Sequence, residues 1–256
     1  MTKRILAVMP VVSMKWIDMT NTVLKPYVSP GFELDCVNVP YGGMESIEGL
    51  YYCATTTPYI VERIIQAEKQ GYDAAMSFCF GDPAVKEARE NVSIPVIGVG
   101  EAALHTAMMC GVRVGILSVG GTYRSRHHNA MMYAVRDMVV GYRLSDRVVS
   151  YRTTGKPVEH CQEEEVFESL CEQSKLAIEE DGADVLVLGC TGMVGLSNRL
   201  HEAMEVPVID PTLAGLKHAE MFISLGLSHS RLAHPSPEDV GAICEMKWPP
   251  TLRQPE

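Results

Sequence analysis

The sequence predicts an α/β protein of two pseudo-symmetric, Rossmann-like lobes, each with a mostly parallel four-stranded sheet, and a cleft between them. Three observations carry this. Apolar runs of strand length alternate with helical patterns in the order β-α-β-α-β-α-β-α, which calls for parallel strands covered by helices. The pattern then restarts, because Arg113-Val114-Gly115-Ile116-Leu117-Ser118 resembles Arg4-Ile5-Leu6-Ala7-Val8-Met9. Finally, Gly71-Tyr72-Asp73 and Gly182-Ala183-Asp184 each lead into an apolar run that ends in a cysteine, Cys79 and Cys190, at the same spacing from the glycine.

Residues 4–9 form a continuous apolar run closed by Pro10, as a buried parallel strand requires. A helix is expected over 16–27, a strand over 32–39 and a glycine-containing loop over 41–46. Residues 58–70 read as a helix, apolar at 60, 61, 64, 65 and 67 and stopped by Gly71. After the first cysteine strand, Gly81-Asp82-Pro83 reads as a helix start, with Asp82 as N-cap and Pro83 at the first helical position. A helix over 84–91, a strand over 95–99 and a helix over 101–110, stopped by Gly111, complete the half. The second half repeats this with a turn at Gly120-Gly121-Thr122, a helix over 125–140 and a strand over 146–151. A loop over 153–159, a helix over 163–180, the second cysteine strand, a helix over 194–204, the Val208 strand and a helix over 213–225 follow. The lobes are placed at 1–111 and 112–228, with the last helix able to return onto the first lobe. A proline-rich tail, 229–256, is expected to be irregular.

Composition narrows the function. A chain of 256 residues, 46% apolar and 21% charged, has the make-up of an ordinary globular protein. A net charge of −10 argues against nucleic acid or an anionic membrane as partner. No apolar run reaches the length of a membrane span, and the start Met1-Thr2-Lys3-Arg4 lacks a cleavage-type region, so a cytoplasmic protein is expected. Eight cysteines form no CxxC pair and no metal-finger spacing, so they are read as free thiols, with no metal site and most of them packed in the core.

Two matched cysteines are the exception. In an open α/β sheet, ligands bind beyond the carboxyl ends of the strands, where both Cys79 and Cys190 fall. If each opens the following helix, backbone N–H groups and the helix dipole should lower its pKa below about 8.5. With the lobes facing each other, two sulfurs approach one cleft from opposite sides. A carbon acid held between them loses a proton to one face and regains one from the other, which is two-base racemisation and needs no cofactor. The plain alternative is a pair of buried cysteines that only pack.

Phe78-Cys79-Phe80-Gly81-Asp82-Pro83, Ala88-Arg89-Glu90, the run from Ile94 to Ala102 and Leu188-Gly189-Cys190-Thr191-Gly192-Met193 resemble the hydantoin racemase branch of the aspartate/glutamate racemase superfamily. Glu45-Ser46-Ile47-Glu48 and Asp181-Gly182-Ala183-Asp184 fit the same branch. The resemblance implies a cofactor-independent racemase or epimerase of a hydantoin-like ring, allantoin included, acting on a small-molecule substrate as a homo-oligomer. It makes Cys79 and Cys190 the acid and base. It places Pro10, Val11, Met44, Glu45, Ser46, Phe80, Gly81, Gly121, Thr122, Thr191 and Gly192 against the substrate, with the N–H groups of Phe80, Gly81, Thr191 and Gly192 as donors to an enolate-type oxygen. Three stretches depart from the family pattern. Met9-Pro10-Val11-Val12-Ser13 replaces an Asn-Pro-Asn-like turn, Tyr52-Cys53 replaces an acidic pair, and Gly120-Gly121-Thr122-Tyr123 is not the usual second-half turn.

The same superfamily offers aspartate or glutamate racemases and maleate-type isomerases as alternatives, and a non-catalytic small-molecule binder is the alternative of another class. Asp82 reads as a helix cap rather than a catalytic carboxylate. His127-His128 reads as a surface pair, and Glu163-Glu164-Glu165 as a favourable charge at a helix N-terminus that needs no partner. Tyr123, Arg124 and Arg126 at the rim suit either a substrate carboxylate or a solvated face. Gly98 and Gly100 suggest a dinucleotide fingerprint, but Ala103 takes its last place and the acidic partner is missing.

Overall fold

The computed structural model describes residues 2–39, 45–120 and 130–237. In the first half, strands β1 (Lys3–Met9), β2 (Phe32–Asn38), β3 (Ala74–Ser77) and β4 (Val96–Gly98) alternate with helices α1 (Lys15–Leu24), α2 (Leu50–Lys69), α3 (Val85–Asn91) and α4 (Val99–Cys110). The second half repeats the scheme with β5 (Val114–Ser118), β6 (Val148–Thr153), β7 (Val185–Leu188) and β8 (Val208–Ile209). Its helices are α5 (Ala130–Gly141), α6 (Glu164–Glu179), α7 (Ser197–Met204) and α8 (Pro211–Leu225). The sheets run β2-β1-β3-β4 and β6-β5-β7-β8, and every pairing is parallel. The central strands β3, β5 and β7 are buried along their whole length, as their unbroken apolar runs demand. Cys79 and Cys190 lie just past the carboxyl ends of β3 and β7, the same position in each sheet. Among the described residues no helix is long and apolar enough to cross a membrane.

The halves are locked by exchanging a helix. α4 leaves the first sheet and packs on β5, β7 and β8, while α8 leaves the second sheet and packs on β3 and β4. The two helices also pack on each other, so closely that a Cβ at Gly215 would lie 2.6 Å from a Val99 methyl. α8 is further anchored to the first half, where Glu220 accepts from the Ser29 N–H at 2.8 Å and hydroxyl at 2.7 Å. The chain after α8 is not a free tail as far as Pro237. His229 accepts from the Val96 N–H of edge strand β4 at 2.9 Å, and burial holds that imidazole neutral, with its pKa down at about 4.

Several boundaries differ from expectation, each for a physical reason. α2 begins at Leu50 and carries Pro58 inside it; the Thr56 and Thr57 hydroxyls donate to the Tyr52 and Cys53 carbonyls in the turn before the ring. α3 begins at Val85, with neither Asp82 as its cap nor Pro83 in its first turn. Asp82 and Ala84 have left-handed backbones, φ 49° and 66°, which fold the chain into a tight turn first. α7 begins at Ser197, because Val194 is extended and a short 3₁₀ turn, Thr191–Met193, precedes it. β6 lies two residues later than expected, and β4 yields Val99 to α4. The three glutamates at α6 do find partners: Glu163 pairs with His160, Glu164 with Arg199 and Glu165 with Lys156. His127, His128, Tyr123, Arg124 and Arg126 lie outside the described residues.

Gly215→Ala should destabilise the protein by about 1–3 kcal/mol, because the methyl enters a packed helix crossing. Urea unfolding measures this, and an unchanged midpoint would deny that the α4–α8 contact is tight.

Candidate active site

The two cysteine turns share one device. The N–H two residues beyond each cysteine points back at its sulfur: Gly81 at Cys79, and Gly192 at Cys190 with a separation of 3.3 Å. The Met193 N–H donates to the Cys190 carbonyl at 3.1 Å and also lowers the pKa of the thiol. The remaining order in the first turn comes from Asp82. Its N–H donates to the Cys79 carbonyl at 2.9 Å, and its buried carboxylate accepts from Gly100 N–H at 2.8 Å, Glu101 N–H at 2.7 Å and the Tyr142 hydroxyl at 2.9 Å. Asp82 is therefore a cap, but of α4 and not of α3. Burial raises its pKa to about 7 against the pull of those donors. Gly98 and Gly100 are small for the same reason. A Cβ at the first would sit 2.6 Å from the Asp82 carboxyl, and one at the second 2.1 Å from the Phe80 carbonyl oxygen.

Both sulfurs line a single cleft enclosing about 580 Å³, part of it open to solvent. Met9, Pro10 and Val11 form its wall at the end of β1, and Trp16, Met19 and Thr20 descend from α1. Ser46 and Ile47 close one side, while Phe78 and Phe80 flank Cys79. From the second half come Val158, Gly189, Thr191 and Gly192. The Thr191 hydroxyl crosses between the halves to the Phe78 carbonyl at 3.4 Å, so it is engaged with backbone. Glu48 makes a second crossing, accepting from the Val158 N–H at 3.1 Å. No Lys, Arg, His, Asp or Glu lies among the described lining residues.

The structure thus gathers Cys79, Cys190, Pro10, Val11, Ser46, Phe80, Thr191 and Gly192 in one place. Glu45 does not join them: it is exposed, and only its carbonyl serves, accepting from the Trp16 indole at 3.1 Å. Gly81 borders a different cavity behind Cys79. Met44, Gly121 and Thr122 lie outside the described residues. Sequence reasoning missed Trp16, Met19, Thr20, Ile47 and Val158. Trp16 at the start of α1 was the one available signal.

The expectation of lowered cysteine pKa values fails. Burial against apolar walls pushes the Cys79 thiol far above its usual range, with the neighbouring Cys53 and Cys190 adding to the rise. Burial, then Cys161, takes Cys190 up to about 12. The N–H groups of Gly81, Gly192 and Met193 pull the other way and lose. The reason is positional: α3 starts only at Val85 and α7 only at Ser197, so neither sulfur sits on the N-terminus of an α-helix, and Cys190 caps only the short 3₁₀ turn Thr191–Met193. Among the described residues no group of three or more His, Cys, Asp or Glu side chains could hold a metal ion.

A family model for Asp/Glu/Hydantoin racemase matches residues 5–219. The chain belongs to that family. It is 32% identical to a hydantoin racemase of Paenarthrobacter aurescens over 229 residues, 89% of this chain and 94% of that one. Among solved structures, allantoin racemase from Klebsiella pneumoniae superposes with a TM-score of 0.83 and 30% identity, covering 92% of this chain and 94% of the other. Allantoin racemase from Pseudomonas fluorescens gives 0.81 and 29%, covering 91% and 97%. These relatives place the chain in the hydantoin racemase branch, and it is a racemase, an isomerase by class.

At pH 7, iodoacetamide should label the exposed Cys110 at least roughly tenfold faster than Cys79 or Cys190, and labelling of the pair should accelerate as pH rises. Peptide mass mapping reads this out. Rapid labelling of Cys79 and Cys190 at pH 7 would mean that the cleft stabilises thiolates after all.

Proposed function

We propose that this racemase inverts the stereocentre of a neutral 5-substituted hydantoin bearing an apolar side group, with Cys79 and Cys190 as its two bases. The observation that carries the reading is that two matched sulfurs, one from each half, line one apolar cleft. The hydantoin C5–H is acidified by the adjacent C4 carbonyl. One cysteine, as thiolate, takes that proton; the electron pair moves into the carbonyl as an enolate; the other cysteine, as thiol, returns a proton to the opposite face. The two sulfurs end with their protonation states exchanged.

The raised pKa values suit this chemistry. A thiolate formed in an apolar cleft is a strong base, although a scarce one at neutral pH. A charge on Cys190 also raises Cys79, which supports one thiolate beside one thiol rather than two thiolates. The wall composition supports a neutral ring. Aspartate, glutamate or maleate would bury carboxylates where the described lining has no cation to meet them. Allantoin is the second reading, favoured by the two allantoin racemase structures; its ureido group is polar, where this cleft is lined by Met9, Val11, Trp16, Met19 and Ile47.

Cys79→Ser and Cys190→Ser should each slow racemisation by roughly 100- to 10,000-fold, followed polarimetrically on an enantiopure 5-benzylhydantoin. Either variant racemising at the parent rate would remove the two-base mechanism. Because a raised thiol pKa means that the thiolate fraction grows with pH, the wild-type rate should climb roughly tenfold per unit from pH 7 towards pH 9. A flat profile across that range would mean that neither thiolate is the base.

A further inference from the structure

Behind Cys79 lies a second cavity of about 970 Å³, part of it open to solvent, between the start of α2, the turn before α3, and α5. Among the described residues, Cys79 alone lines both this cavity and the cleft. Polar groups mark the second space: the Asp82 carboxylate, the Tyr142 hydroxyl and Thr57 near its floor, and the exposed Lys86, Glu87 and Asp137 at its mouth. It is therefore roomy and polar enough to admit water.

Among the described residues, Cys190 lines the cleft but not this second cavity. Its sulfur takes the Gly192 N–H, and Gly192 is wedged so that an added Cβ would sit 2.9 Å from Cys161 Sγ, 3.1 Å from the Trp16 ring and 3.4 Å from Cys190 Sγ. Cys161 is fully buried and donates to the Gly192 carbonyl at 3.0 Å, and Met193 beyond it is also fully buried.

We propose that Cys79, and not Cys190, exchanges its proton with solvent while substrate still fills the cleft, through the cavity that it separates from the cleft. This rests on the two-base reading above. The exchange is balanced: the S–H proton passes to a water in the second cavity and a solvent proton takes its place on sulfur. Asp82, whose charge raises the Cys79 thiol, lines the same cavity. Cys190 must instead wait for the cleft to empty. The two matched bases are thus unequal in a way that isotopes report. A proton taken by Cys79 can be replaced from solvent and returned to the same face, whereas one taken by Cys190 stays until product leaves.

The test uses each enantiomer of 5-benzylhydantoin in D₂O, with C5 deuterium in the recovered, uninverted substrate read by NMR. Cys190→Ser identifies which enantiomer Cys79 serves, since only Cys79 remains to exchange it. In the wild type, that enantiomer should gain deuterium ahead of its racemisation, while the other should gain none beyond the uncatalysed control. Cys190→Ser should likewise exchange its enantiomer faster than Cys79→Ser exchanges the opposite one. Filling the second cavity with Ala134→Leu should remove the excess exchange while racemisation continues. Ala54→Leu, which enters the same cavity from α2, takes its place if circular dichroism shows the first variant unfolded. Equal exchange of both enantiomers, or an excess that survives both fillings, would overturn the proposal. Racemisation unchanged in the two serine variants is a different failure, that of the two-base reading itself.

Discussion

Two buried carboxylates fix the geometry on which everything else depends. Asp82, in the turn after Cys79, binds the N-terminus of α4; Asp210, at the N-terminus of α8, reaches back to the Gly195 N–H at 2.9 Å in the turn after Cys190. In each half a charged hydrogen bond thus joins the cysteine turn to the helix that crosses to the other half. Such bonds contribute about 1.5–3 kcal/mol each, and losing one leaves buried N–H groups unpaired. The relative placement of the sulfurs is consequently set by the docking of whole sheets and helices and not by loop conformation. The halves are alike in plan but not in detail, since the carboxylate comes from the turn in one and from the helix in the other.

The cleft that results opposes two electrostatic effects. Backbone N–H groups aimed at each sulfur favour thiolate; apolar walls favour thiol. Burial dominates at both cysteines. A racemase of a weak carbon acid gains from this, because the base that is hard to form is also strong once formed. The same apolar walls that raise the thiols make a bare anion costly to bury unless a cation accompanies it.

The alternation of strands and helices, the duplication and the matched positions of the two cysteines were legible in the sequence because they depend on local pattern: apolar runs of fixed length, glycine stops and a repeated spacing. What escaped depends on contacts distant in the chain. Asp82 before Pro83 has the local signature of a cap for α3, and only the left-handed turn at Asp82 and Ala84 turns it towards Gly100 and Glu101. Gly98 and Gly100 look like half of a nucleotide motif, yet they exist to admit Asp82 and the Phe80 carbonyl. Trp16 reads only as the start of a helix, and its place in the cleft needs the β2–α2 loop, whose Glu45 carbonyl holds the indole. The sulfur pKa values failed for the same reason, since desolvation belongs to the assembled cleft and has no local sign.

The central claim is that two sulfurs work on opposite faces of one stereocentre. The most direct measurement is the isotopic content of the inverted product formed in the first turnovers of a protiated single enantiomer in D₂O, by NMR at C5. Two bases predict product that carries only solvent deuterium, from either enantiomer, because the proton removed and the proton delivered reside on different sulfurs. Inverted product that retains the substrate's own hydrogen would mean that a single group serves both faces, and would contradict the account.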